Sequence, residues 1–114
     1  MGRRVLLVDD DVLVLEAIAY MLANLGCDTL TARSGTEALG TIANDQTIEI
    51  LISDINMPGL AGVDLAERAR SYRPALKVIL LTAGSADNRG FPLLRKPFAQ
   101  SDLQRVMAEA TGLC

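Results

Sequence analysis

The apolar positions along the chain fall into two alternating periods. Val5-Leu6-Leu7-Val8 and Val78-Ile79-Leu80-Leu81 are continuous apolar runs, and Ile48 to Ser53 is nearly one, interrupted by Glu49. Such runs suit central strands of a parallel sheet, which are covered on both faces. Cys27 to Ala32 alternates instead and carries Thr29 and Thr31, which predicts an edge strand. Leu93-Leu94-Arg95 is a short fifth candidate, and Pro92 suits the other edge.

Between the strands the spacing turns helical. Leu15, Ile18, Ala19, Leu22 and Leu25 keep one face apolar, with Gly26 as the stop. Ser34 with Glu37 forms a capping-box signature ahead of Leu39, Ile42 and Ala43. A third helix is predicted from near Gly62, carrying Leu65 and Ala69 inward and ending before Pro74. Ser101 with Gln104 makes a second capping box before Leu103, Val106, Met107 and Ala110. The economical fold is α/β: a flavodoxin-like, doubly wound, five-stranded parallel sheet with right-handed crossovers and helices on both faces.

At 114 residues there is room for one hydrophobic core, and without repeats or linkers residues 1–114 read as a single domain. Lys+Arg number 11 against 14 Asp+Glu, a balance of −3 that offers no footprint for nucleic acid or anionic lipid. The longest apolar stretch, Ala17 to Ala23, is too short for a membrane span. Cys27 and Cys114 lack any C-x-x-C spacing, so reduced thiols and a cytoplasmic location are expected. The chain has no histidine. Ser-His and Cys-His catalysis, His-ligated zinc and self-phosphorylation on histidine are thereby excluded.

In an open sheet of this kind, ligands bind beyond the carboxyl ends of the strands, where the strand order reverses. In the order 2-1-3-4-5, strands one and three flank that point. After the first apolar run come Asp9, Asp10 and Asp11; after the third comes Asp54; the fourth ends at Thr82; the fifth is followed by Lys96 and Pro97. Three acids, a hydroxyl and an ammonium thus meet at one crevice. At roughly 5 Å and an effective dielectric of about 20, each carboxylate pair repels by about 3 kcal/mol. A cation would relieve this, and oxygen-only ligands point to a hard ion, with Mg²⁺ suited to a site that awaits phosphate. Asp9, Asp10 and Asp54 bring −3, while Lys96 and one Mg²⁺ bring +3. A carboxylate such as Asp54 can accept a phosphoryl group, whose equatorial oxygens the metal, Lys96 and the Thr82 hydroxyl would stabilise. Asp11 fits a plain helix cap. A proline after Lys96 can carry a cis bond that fixes the turn presenting the lysine.

At these residues the sequence resembles receiver domains of the bacterial two-component response-regulator family. The matching segments, in order, are Val5 to Asp11, Ser53-Asp54-Ile55-Asn56-Met57-Pro58-Gly59, Leu80-Leu81-Thr82-Ala83 and Arg95-Lys96-Pro97-Phe98. The ligand rule for this sheet order draws in part on the same family and is not independent support. The resemblance implies that Asp54 accepts a phosphoryl group from a phosphohistidine on a histidine kinase or histidine phosphotransfer domain. It also implies that Asp9, Asp10, Asp54 and the backbone carbonyl of Asn56 hold Mg²⁺, and that Thr82 and Lys96 contact the phosphoryl oxygens.

Two departures qualify the resemblance. Receivers usually carry an aromatic switch residue three positions before the lysine, where this chain has Leu93. Only ten residues, 83 to 92, separate Thr82 from Leu93, which predicts a shortened or missing fourth helix. Transcriptional members often dimerise through that helix, so its shortening argues against such an output. The stretch Gly90 to Phe98 is instead similar to receivers attached to hybrid sensor histidine kinases. No output module follows the last predicted helix, and a stand-alone receiver and a part of a longer protein both fit.

Two other classes compete. A small phosphohydrolase of the haloacid-dehalogenase type would use Asp9 as nucleophile and Asp11 in a D-x-D pair, although no acidic pair follows Lys96. A receiver-like interaction module would keep the fold without switching. Nucleotide binding is disfavoured, since neither G-x-G-x-x-G nor G-x-x-x-x-G-K-[ST] is present.

Overall fold

The computed structural model describes residues 3–84 and 87–111. Five parallel strands form one sheet in the order β2-β1-β3-β4-β5. These are β1 (Arg4–Val8), β2 (Asp28–Ala32), β3 (Ile50–Asp54), β4 (Lys77–Thr82) and β5 (Leu93–Arg95). The helices are α1 (Val12–Asn24), α2 (Gly35–Asn44), α3 (Gly62–Tyr72) and α4 (Gln100–Thr111). This is the doubly wound, flavodoxin-like architecture that the alternating periods predict.

The strands that read as continuous apolar runs are the central ones, and successive residues serve opposite layers. Leu6, Val8, Leu51, Val78 and Leu80 pack with Ala38, Ile42, Leu65 and Ala69 of α2 and α3. Val5, Leu7, Ile50, Ile52, Ile79 and Leu81 pack with Leu15, Ile18 and Leu22 of α1 and with Leu103, Val106 and Met107 of α4. A one-residue slip in any of these strands would exchange its side chains between two cores.

Several boundaries differ from the sequence expectation. β2 begins at Asp28 rather than Cys27. The third strand runs to Asp54, so the acid is its last residue instead of the first one beyond it. α4 begins at Gln100, with Ser101 already inside the helix. Its start is closed by Asp102, whose carboxylate accepts the Ala99 N–H at 2.9 Å, rather than by Ser101. The second helix keeps its predicted cap, with the Ser34 hydroxyl accepting the Glu37 N–H at 3.1 Å.

Between β4 and β5 no helix stands among the described residues, in line with the short connection. Residues 85 and 86 of that connection, and Cys114, lie outside the described residues. No helix among the described residues is long and apolar enough to cross a membrane.

Candidate functional site

Parallel register brings the strand ends level. Val8 pairs with Ala32 on one side and with Ser53 on the other, Asp54 pairs with Leu81, and Thr82 pairs with Arg95. The residues that follow β1 and β5, Asp9 and Lys96, and the last residues of β3 and β4, Asp54 and Thr82, therefore stand at the same rim, where the strand order reverses between β1 and β3. The Asp9 N–H donates to the Ala32 carbonyl at 3.2 Å, and the Lys96 N–H donates to the Thr82 carbonyl at 2.7 Å. Both ends of the acid–amine pair are thus tied by backbone to their strands.

One carboxylate oxygen each of Asp9, Asp10 and Asp54 lies within 4.8 Å of the others. Asp9 is 1% exposed and Asp54 8%, whereas Asp10 stands in solvent. The Lys96 Nζ donates to Asp9 Oδ2 at 3.0 Å and lies 3.4 Å from Asp54 Oδ2. The other Asp9 oxygen accepts the Asp11 N–H at 2.9 Å, and Asp54 Oδ1 accepts the Asn56 N–H at 3.4 Å. The Lys96–Pro97 peptide is cis.

Burial pushes the Asp54 carboxyl above the ordinary carboxylate range, with the Asp9 charge adding to it against the pull of Lys96 and the Asn56 N–H. At Lys96 burial acts against the charge, but the hydrogen bond to Asp9 and the charges of Asp54 and Asp9 prevail. They hold the amine above its ordinary value. Three carboxylates against one ammonium leave a net excess of two negative charges, two of the acids being buried. An all-oxygen donor set in that condition fits a hard divalent cation.

Thr82 is fully buried and faces a different partner: its hydroxyl donates to the Gly84 carbonyl at 3.1 Å and accepts the Gly84 N–H at 3.2 Å. Asn56, two residues beyond the end of β3, is placed beside Asp54 through its N–H. Asp11 does not join the acid cluster. Its carboxylate accepts the Leu13 and Val14 N–H groups at 2.9 and 3.4 Å and caps α1. That removes the second acid from the D-x-D pair a phosphohydrolase would use.

One site residue has a role that the sequence reading does not give it. The Gly62 N–H donates to the Ile55 carbonyl at 2.9 Å, and a Cβ on Gly62 would fall 2.2 Å from the Asp54 carbonyl oxygen. Only glycine lets α3 start against the backbone of the acid. Its sequence signal is a glycine opening a helix eight residues after Asp54, which by itself reads as an ordinary helix start.

Comparison with known proteins agrees with this geometry. Residues 5–108 match the response regulator receiver domain. The chain is 35% identical to the response regulator protein FleR of Pseudomonas aeruginosa over 98% of its length, and 34% identical to the transcriptional regulatory protein GlrR of Escherichia coli over 92%. It spans about a quarter of the length of these two relatives, 25% in each case. Among solved structures it is similar to a response regulator receiver domain protein from Clostridium thermocellum. That likeness has a TM-score of 0.89 and 31% identity, covering 96% of this chain and 94% of that one. The receiver domain of the hybrid histidine kinase CckA gives a TM-score of 0.82 and 32% identity, covering 95% of this chain and 98% of that one. The matched length, the sheet order and the acid–lysine rim converge, and the chain belongs to the response regulator receiver family of two-component signal transduction.

Proposed function

We propose that residues 1–114 form a single cytoplasmic receiver domain in which Asp54 is the phosphoacceptor. Receiver domains take phosphoryl groups from histidine kinases, and the donor here is a histidine kinase or a histidine phosphotransfer domain. A donor on another protein or another domain suits residues 1–114, which contain no histidine. In the transfer, an Asp54 oxygen forms a bond to phosphorus while the bond from phosphorus to the donor imidazole nitrogen breaks. The electron pair stays on that nitrogen, and the ring leaves as neutral imidazole because its other nitrogen carries a proton.

Asp9, Asp10, Asp54 and the Asn56 carbonyl would hold Mg²⁺, which when bound would supply positive charge to offset that of the phosphoryl oxygens. The chain's own residues do the rest. Lys96 stands between Asp9 and Asp54, where its amine can follow the phosphoryl oxygens as they arrive. The Thr82 hydroxyl is the remaining donor at that rim. The domain acts as a signalling switch that catalyses only its own phosphorylation and slow dephosphorylation. Similarity reaches both transcriptional regulators and a hybrid-kinase receiver, and the short connection before Leu93, without a helix among the described residues, favours the latter kind of setting.

The carrying observation is the convergence of three carboxylates within 4.8 Å beside a shared lysine. Incubation with Mg²⁺ and acetyl phosphate should add one phosphoryl group to the intact protein by mass spectrometry. Asp54→Asn and chelator-treated protein should add none. Equal labelling of Asp54→Asn would refute the assignment.

A further inference from the structure

The connection between β4 and β5 is held at both ends. Its start is bonded to the Thr82 hydroxyl through the Gly84 carbonyl and N–H. Its far end is a tight turn in which the Phe91 N–H donates to the Asn88 carbonyl at 2.9 Å. The two central residues of that turn have positive φ, Arg89 at 49° and Gly90 at 82°. Such a turn favours asparagine or glycine at its first central position. Arg89 is the one non-glycine residue with positive φ among the described residues.

The arginine makes contacts that asparagine or glycine could not. Its Nη1 reaches Asp64 Oδ1 at 3.0 Å and Glu67 Oε1 at 2.6 Å, one turn apart on α3. The first residue of α3 is Gly62, pressed onto the Asp54 carbonyl. Asp54 is therefore followed by α3, Thr82 is followed by the connection, and Arg89 clamps these two to each other. Phe91 adds its ring to the core layer under α3.

We propose that Arg89 is a latch: by pinning the connection to α3 it favours the Thr82–Gly84 pairing and restrains the threonine from turning toward Asp54. To donate to an oxygen on Asp54, the Thr82 hydroxyl must give up its donor bond to the Gly84 carbonyl. With ten residues between Thr82 and Leu93, anchoring one end limits how far the other can follow. The latch supplies a route out of the site that needs no aromatic side chain at position 93. Arg89 is a positioning residue; it touches none of the reacting atoms.

The proposal rests on Asp54 being the acceptor, and one titration separates the two. Beryllofluoride with Mg²⁺ is added to the full chain while the Thr82, Gly84 and Gly62 amide resonances are followed. Arg89→Asn keeps the turn and removes the guanidinium. Asp64→Asn/Glu67→Gln keeps the arginine and removes its partners. Both should bind beryllofluoride about two- to tenfold more tightly than wild type at low salt. The advantage should shrink at about 0.5 M NaCl, because exposed ion pairs are screened. In the free variants the Gly84 amide should move toward its position in the wild-type complex.

Affinities equal to or weaker than wild type in both variants, with wild type still binding, would overturn the latch alone. Failure of wild type to bind, or equal binding by Asp54→Asn, would overturn the acceptor assignment and the latch with it.

Discussion

At the amino ends of the strands, Arg4 bridges Asp28 and Asp45, Arg3 faces Glu49, and Arg73 donates to the Asp45, Gln46 and Ile48 carbonyls. At the carboxyl ends, Asp9, Asp10 and Asp54 face Lys96. The first group sets three guanidinium groups against three carboxylates, and its ion-paired side chains are 24% to 62% exposed. The second sets three carboxylates against one ammonium, with Asp9 and Asp54 side chains only 1% and 11% exposed. Exposed, balanced pairs are screened and contribute little, whereas buried excess charge costs stability unless something neutralises it. The amino end is balanced by its own side chains, whereas the carboxyl end carries an excess of negative charge that a bound cation would offset.

Removing the lone ammonium tests this contrast most severely. Lys96→Ala leaves Asp9 and Asp54 buried without it and should destabilise the metal-free protein by about 2–4 kcal/mol, a range set about 1 kcal/mol below that of a fully buried broken pair because the amine is partly exposed. Mg²⁺ should return part of that loss, read as a shift of the urea midpoint toward wild type. A midpoint for Lys96→Ala that ignores Mg²⁺ would mean that the acid cluster is not a cation site.

Asp54→Asn should act in the opposite direction. Burial raises the Asp54 carboxyl in the folded protein above its unfolded value. Stability from the protonated acid is complete below the unfolded value and is lost as pH rises through the raised folded one. In chelator at neutral pH, Asp54→Asn should therefore be more stable than wild type, by less than Lys96→Ala loses. The gain should fade as the pH is lowered into the ordinary carboxylate range, about 4. Urea midpoints of the two proteins across pH would show this, and a gain that persisted in acid would assign it to packing instead of charge.

How much of this was legible in the chain depends on whether a feature is local. Asp9, Asp10, Asp54, Thr82 and Lys96 stand at the ends of apolar runs, so reading the runs as parallel strands was enough to gather them at one rim. Asp11 was legible as a cap because it directly precedes a helical apolar period. Two cap spacings compete at the start of α4, Ser101-x-x-Gln104 and Ala99-x-x-Asp102; the carboxylate makes the stronger acceptor for the Ala99 N–H. Glu49 obscured the start of the third strand. Its side chain is exposed, yet its N–H donates to the Arg4 carbonyl at 2.9 Å and its carbonyl accepts the Lys77 N–H at 3.1 Å. Gly62 and Arg89 act across distances of 8 and 25 or 22 residues, and no local pattern announces such meetings.

The smallest effect belongs to the balanced end. Arg4→Gln removes the guanidinium between Asp28 and Asp45, but Asp45 keeps its nearest partners. Its carboxyl is held below the ordinary range first by the Thr47 hydroxyl and N–H, and only then, after an opposing contribution from burial, by Arg4. Asp28 is 62% exposed and can be solvated by water once the arginine is gone. The expected result is a urea midpoint that moves far less than in Lys96→Ala and does not respond to Mg²⁺ differently from wild type. Arg4 has two acidic partners, as Lys96 has, so the number of ion pairs predicts equal losses from the two substitutions. A loss in Arg4→Gln as large as that in Lys96→Ala would show that pair count governs stability at both ends, and the excess of buried charge would no longer distinguish the rim that carries Asp54.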